Sequence, residues 1–119
     1  MPQYLLLIYG DPAEAPAGDD PAQFTKWTHY SQALVDAGVM QGGNALDSAD
    51  TATTVRVRDD ETLISDGPFA ETKEILGGYY LIDVPDLDAA LAWAAKMPNI
   101  TYGSVEVRPI WAIPDAPPQ

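Results

Sequence analysis

Hydrophobic and polar positions along this chain alternate between stretches typical of strands and stretches typical of helices. The run 3–9 is almost wholly apolar, which predicts a strand covered on both faces. Residues 21–37 carry apolar side chains at helical spacing, with Asp20 as the expected N-cap and Gly38 as the expected stop. We expect the apolar stripe of this helix to consist of Phe24, Trp27, Leu34 and Val35.

The remainder of the chain predicts five more strands and a second helix. The predicted strands lie at 39–46, 53–58, 61–65, 75–84 and 104–113. Strict alternation of apolar and polar residues in the second of these, followed by an Asp-Asp turn and a short return, indicates a β-hairpin. Asp86 is the expected N-cap of the second helix, which Pro98 ends.

The order of these elements predicts an α+β fold. With the hairpin set aside, the order is the βαββαβ pattern of a ferredoxin-like protomer, so the hairpin is expected to be an insertion. Both helices would cover one sheet face, and a soluble monomer rarely exposes an apolar second face. We therefore expect a homodimer in which a second copy covers that face. A single domain is expected over 1–113, followed by a C-terminal tail over 114–119.

Composition and charge narrow the possible functions. The absence of cysteine excludes disulfides and thiolate chemistry, and with one histidine no spacing suggests a metal site, so no cofactor is expected. A net charge of −12 repels phosphate backbones, which argues against direct nucleic-acid binding and is compatible with a basic protein partner. The first apolar run lacks a basic leader and is too short to span a bilayer, so we expect a cytoplasmic protein without membrane contact.

Asp66 is the strongest candidate for an active group. It precedes a Gly67-Pro68 turn and lies close to Phe69, where a partly apolar pocket would suit a carboxylate acting as general base or acid. An aspartate before glycine also builds turns by accepting backbone hydrogen bonds, and this alternative stays open.

Other residues are candidates for supporting roles. His29 is the one histidine available to pair with Asp66, although its helical position points away from the apolar stripe, as a surface residue would. Lys73 would neutralise Asp66, hold an anionic substrate or join a solvated charge cluster, and Tyr79 would line a pocket or pack in the core. The candidate ligand-binding residues are Gly67, Pro68, Phe69, Lys73 and Tyr79.

The string Asp-Gly-Pro-Phe-Ala-Glu-Thr-Lys-Glu at 66–74, followed by Gly-Gly-Tyr-Tyr at 77–80, resembles the DGPF-domain branch of the YCII-related family. The resemblance covers nearly the whole chain. It implies a dimeric α+β barrel with a cleft near the dimer interface. In some relatives a histidine–aspartate pair is proposed for acid–base chemistry, and one relative is similar to a dehydrochlorinase acting on a halogenated hydroxyquinol-type ring. The aspartate matches Asp66, whereas the histidine position falls on Trp27, two residues before His29.

Two classes of function follow from these residues and this resemblance. The first is a cofactor-independent enzyme of the lyase, isomerase or hydrolase type that acts on a small molecule, with Asp66 as base or acid. The second is a non-catalytic accessory protein that binds a ligand or a protein partner. DGPF-type proteins are often associated with extracytoplasmic-function sigma factors, so the resemblance makes a sigma factor the candidate partner.

Overall fold

A computed structural model describes residues 2–14, 20–68 and 73–113 of the protein. The helices and strands are β1 (Gln3–Gly10), α1 (Pro21–Asp36), β2 (Met40–Ala45), β3 (Thr53–Arg58), β4 (Glu61–Asp66), β5 (Ile75–Asp83), α2 (Leu87–Ala94) and β6 (Gly103–Pro109). Short 3-10 helices lie at Ala49–Thr51 and Pro98–Thr101. The predicted order of elements and the α+β class are confirmed, whereas the tail at 114–119 lies outside the described residues.

Four strands form one antiparallel sheet in the order β2-β5-β1-β6. Each helix connects two strands that flank a third, an arrangement compatible with a ferredoxin-like fold. The doubly apolar strand β1 occupies an inner position, as its sequence predicts. Tyr4 and Leu6 are buried on one face, while Leu5 and Leu7 are half-buried on the other.

The hydrophobic core lies between the helices and one face of this sheet. Its most completely buried apolar side chains are Leu6, Leu34, Ile82, Val84 and Met97. Ala90 and Ala94 are buried on α2, and their small side chains allow that helix to approach the sheet closely. In the described residues no helix is long and apolar enough to cross a bilayer.

The predicted stripe of α1 is wrong at two of its four positions. Phe24 and Val35 are 74% and 53% exposed, and the buried residues of the helix are Tyr30 and Leu34. Tyr30 was not part of the predicted stripe, and its hydroxyl donates a hydrogen bond of 2.7 Å to the carbonyl of Trp93. Because this partner satisfies the hydroxyl, the ring can be buried, and the buried face of α1 rotates toward it.

The helix boundaries follow the local signals. The Asp20 side chain accepts a hydrogen bond from the amide of Ala22, and Gly38 adopts a φ of 74° just past the helix end. On α2, the Asp86 side chain accepts from the amide of Ala89 at 2.9 Å. The two expected caps and the stop of α1 are therefore confirmed. The expected end of α2 at Pro98 is wrong, because α2 ends at Ala94 and Pro98 begins a 3-10 helix.

Strands β3 and β4 form a separate two-stranded antiparallel sheet. Asp59 and Asp60 join them with φ values of 52° and 64°, the left-handed values that a tight two-residue hairpin turn requires. Thr53 pairs with Asp66 at the open end of this sheet, and every residue of β4 is exposed.

Candidate functional site

A cavity of about 930 Å³ lies against the end of the main sheet. Its walls come from α1, the end of β1, strand β2, the first half of β5, and the segments 46–50 and 99–102. Trp27 and Ser31 face it from the helix, and Tyr79 and Tyr80 line it from the sheet.

Glycines in the cavity wall allow β2 and β5 to approach each other closely. A Cβ atom built at Gly43 would lie 2.9 Å from the Tyr79 carbonyl oxygen, and one at Gly78 would lie 2.8 Å from the Asn44 carbonyl oxygen. A side chain at either position would push the strands apart. Within the Gly-Gly dipeptide at 77–78, it is Gly78 that lies at this close backbone approach.

Several polar side chains in the wall satisfy one another. The hydroxyls of Ser31 and Tyr80 share a hydrogen bond of 2.5 Å, and Asn44 donates to the Tyr79 hydroxyl at 2.7 Å. Burial raises the pKa of Tyr102 above its ordinary value of about 10, and a phenol already carries its proton at neutral pH, so the hydroxyl is a hydrogen-bond donor. These groups leave a mainly apolar and aromatic surface with a few polar points.

Asn99 is the most deeply buried polar residue in the wall, at 2% exposure. Its Nδ2 donates to the carbonyls of Tyr9 and Ser104 at 3.0 and 3.1 Å. Because both partners are acceptors, the orientation of the amide is determined and Oδ1 lies on its other side. Among the described residues, Oδ1 is buried without a hydrogen-bond partner. No pattern in the sequence marks Asn99 as a site residue, since an asparagine after proline is also common in turns.

The predicted site residues do not all belong to the cavity wall. Tyr79 lines the cavity, whereas Asp66 at the end of β4 and His29 on α1 are exposed and do not belong to the described cavity wall. Lys73 also lies off the wall; its side chain is 83% exposed and its Nζ is 3.7 Å from Oδ2 of the buried Asp11. Phe69 lies outside the described residues.

The backbone beside Asp66 is hydrogen-bonded to residues that follow the cavity wall in sequence. Gly67 adopts a φ of 99°, and its amide donates to the Ala52 carbonyl at 2.7 Å. Its own carbonyl accepts from the Thr54 hydroxyl at 2.7 Å, and Pro68 follows, exposed. Ala52 lies two residues after the wall residue Asp50, and the string at 66–74 is followed directly by the wall residue Ile75. Both ends of this string are therefore connected to wall residues over a short stretch of chain.

Comparison with known proteins shows the family to which the chain belongs. The profile of the YCII-related domain matches residues 2–114. An uncharacterised protein of Rhizobium meliloti (strain 1021) is 38% identical over 112 residues, which covers 90% of each chain. With a family match over almost its full length and a relative at this level of identity, the chain belongs to the YCII-related family.

Proposed function

We propose that this protein binds a small organic molecule in the cavity between α1 and the main sheet. The observation that carries the proposal is the cavity itself. Its volume of about 930 Å³ lies within the range of roughly 300–1,000 Å³ that is usual for small-molecule sites. Its lining also follows the usual pattern, because apolar and aromatic side chains surround a few fixed polar groups.

The identity of residue 27 favours ligand binding over acid–base catalysis by a histidine at that position. Trp27 occupies the position at which the family resemblance implies a histidine in some relatives, and it lines the cavity. An indole has no group that titrates near neutral pH, so this position supplies apolar contact instead of a proton. His29, two residues later, lies exposed on another face of α1.

Acid–base catalysis by Asp66 is the second candidate function. It is favoured by the hydrogen bond of Gly67 to Ala52, which holds the chain next to Asp66 against a residue two positions after the wall residue Asp50. Asp66 is exposed in the single chain, so in this proposal a second copy covers it and forms the cleft. The reaction would be of the lyase, isomerase or hydrolase type.

The proposed assembly is a homodimer that forms an α+β barrel, with β3 and β4 as an insertion in each ferredoxin-like protomer. The sheet face opposite the helices carries Leu5, Leu7 and Leu81, which are half-buried in the single chain. Leu5 and Leu81 are cross-strand partners, so the apolar side chains are adjacent. A second copy packed on this face would bury them. The partner-binding alternative, an accessory to a sigma factor, would instead place a basic protein on the acidic surface.

A fragment screen by two-dimensional NMR tests the binding proposal. We expect fragments to shift the indole resonance of Trp27 and the amides of Gly43 and Gly78, because these groups belong to the wall. A broad library of cationic, neutral and anionic fragments that leaves all three resonances unmoved would refute small-molecule binding and favour the partner-binding alternative.

Asp66→Asn tests the catalytic candidate once a ligand that turns over is found. The change keeps the shape of the side chain and removes the titratable group, so turnover should fall by about 10²–10⁴-fold while ligand affinity is retained. Asp60→Asn is the matched control, since it removes the same charge from an exposed turn whose left-handed backbone suits asparagine. Equal turnover in Asp66→Asn and the control would exclude Asp66 as the acid or base.

A further inference from the structure

The cavity wall carries negative and no positive side-chain charge. The six lysine and arginine residues of the chain all lie in the described ranges, and none of them belongs to the wall. Asp47 and Asp50 do belong to it. With a net charge of −12 on the chain, the surrounding field also attracts cations and repels anions. Lys73, the expected anchor for an anionic substrate, is placed against Asp11 and not in the wall.

The aromatic lining matches the same kind of ligand. The aromatic residues Trp27, Tyr80 and Tyr102 belong to the wall, whereas the ring of Tyr79 alternates to the sheet face that carries Leu81. The face of an aromatic ring attracts a cation, and this interaction is stronger where water is excluded. The wall therefore combines two carboxylates with several rings, a composition that favours a positively charged group attached to an apolar body.

The one buried polar atom of the described wall that lacks a partner is also an acceptor. Asn99 Oδ1 has no donor among the described residues, because Nδ2 already faces the two carbonyls. A buried acceptor without a donor is unfavourable, so a ligand N–H group that reaches Asn99 Oδ1 would be stabilised there. A carboxylate or phosphate brings no such donor.

We infer that the ligand of this cavity is an organic cation, a protonated amine carried on an aromatic or aliphatic body. The inference rests on the proposed binding function and specifies its ligand class. Asp47 and Asp50 attract the ammonium group at the wall, the aromatic rings pack against the ligand body, and the amine provides the donor that the wall lacks.

The test uses three probes of the same shape that differ in charge. These are 2-phenylethylamine, 2-phenylethanol and 3-phenylpropanoate, titrated into the full-length protein and followed at the Trp27, Gly43 and Gly78 resonances. We expect the amine to bind at least about tenfold more tightly than the other two and to weaken as salt is added, since screening reduces attraction between charges. Asp47→Asn and Asp50→Asn should each weaken the amine by about two- to fivefold and leave the alcohol unchanged.

The control variant is Asp60→Asn, which removes one charge from the hairpin turn, at a position outside the wall. It should leave amine affinity unchanged. If the alcohol or the carboxylate binds at these resonances as tightly as the amine, or if both wall variants bind the amine as the wild type does, the cation inference is wrong while the binding proposal stands. If no cationic, neutral or anionic fragment binds there, the binding proposal fails and the inference fails with it.

Discussion

Tyr30→Phe is the most direct test of how the two helices of this fold are joined. The hydroxyl of Tyr30 on α1 donates 2.7 Å to the carbonyl of Trp93 on α2. The ring makes edge-to-face contacts with Trp27, Tyr80 and Trp93 at centroid distances of 6.4, 5.5 and 6.2 Å. Phenylalanine retains these ring contacts and removes only the hydrogen bond.

The expected loss at neutral pH is about 1–3 kcal/mol of unfolding free energy. A neutral hydrogen bond contributes about 1 kcal/mol net, and the upper value applies if the Trp93 carbonyl is left buried without a donor. The ring contacts are common to both proteins, so they cancel from the comparison. A loss well below 0.5 kcal/mol, on the order of an ordinary surface change, would show that this bond does not link the helices.

The same substitution has a distinct pH dependence. Burial, with a smaller effect of the neighbouring Tyr80, raises the pKa of Tyr30 above its ordinary value of about 10. In the unfolded chain the phenol ionises near pH 10, whereas the folded protein keeps the proton. The unfolding free energy of the wild type therefore falls above pH 10, by about 1.4 kcal/mol per pH unit from this group, and its contribution is fully present below pH 10. The phenylalanine variant lacks this loss.

Urea unfolding followed by tryptophan fluorescence measures both effects. The stability gap between wild type and Tyr30→Phe should be largest near pH 8 and should shrink by about 1.4 kcal/mol near pH 11. Tyr79→Phe is the control, because the Tyr79 hydroxyl accepts from an exposed Asn44 and its loss should cost within about 0.5 kcal/mol. A gap that stays constant or widens with pH would refute the protonated, buried state assigned to Tyr30.

Two further predictions concern the junction of β1 with β6. Gly103→Ala should destabilise the protein by about 1–3 kcal/mol or more in urea unfolding, because its Cβ would overlap with the Tyr9 carbonyl oxygen. Gly42→Ala, with no atom within 4 Å of its Cβ, should be neutral or slightly stabilising, and an equal loss in both would contradict the steric explanation. Asn99→Leu should cost about 2–4 kcal/mol of unfolding free energy, since it removes two hydrogen bonds to backbone carbonyls. An effect as small as that of Asn44→Leu at an exposed position would refute that role for Asn99.

Local chemistry made much of the fold predictable. Asp20 and Asp86 cap helices because their carboxylates reach backbone amides two or three residues ahead, and Gly38 ends α1 because glycine accepts a positive φ at little cost. The hairpin follows from alternation and a two-residue turn. Each of these features depends on residues only a few positions apart, so it can be read from the sequence.

The features that the sequence did not predict depend on contacts between residues far apart in the chain. The burial of Tyr30 depends on the carbonyl of Trp93, which is 63 residues away, and periodicity cannot register such a partner. Asn99 contacts the carbonyl of Tyr9 across 90 residues. The string at 66–74 predicts a site at Asp66, whereas the cavity is built mainly from other segments.

The amino-acid sequence by itself determined the helix caps, the strands, the α+β class, the acidic charge and the family resemblance, because these depend on neighbouring residues or on composition. Only the tertiary structure decided which helix face is buried, where the cavity lies and which side chains form its wall. Those properties arise when distant segments exclude water together and satisfy one another's polar groups, and the free energy of such contacts depends on three-dimensional packing.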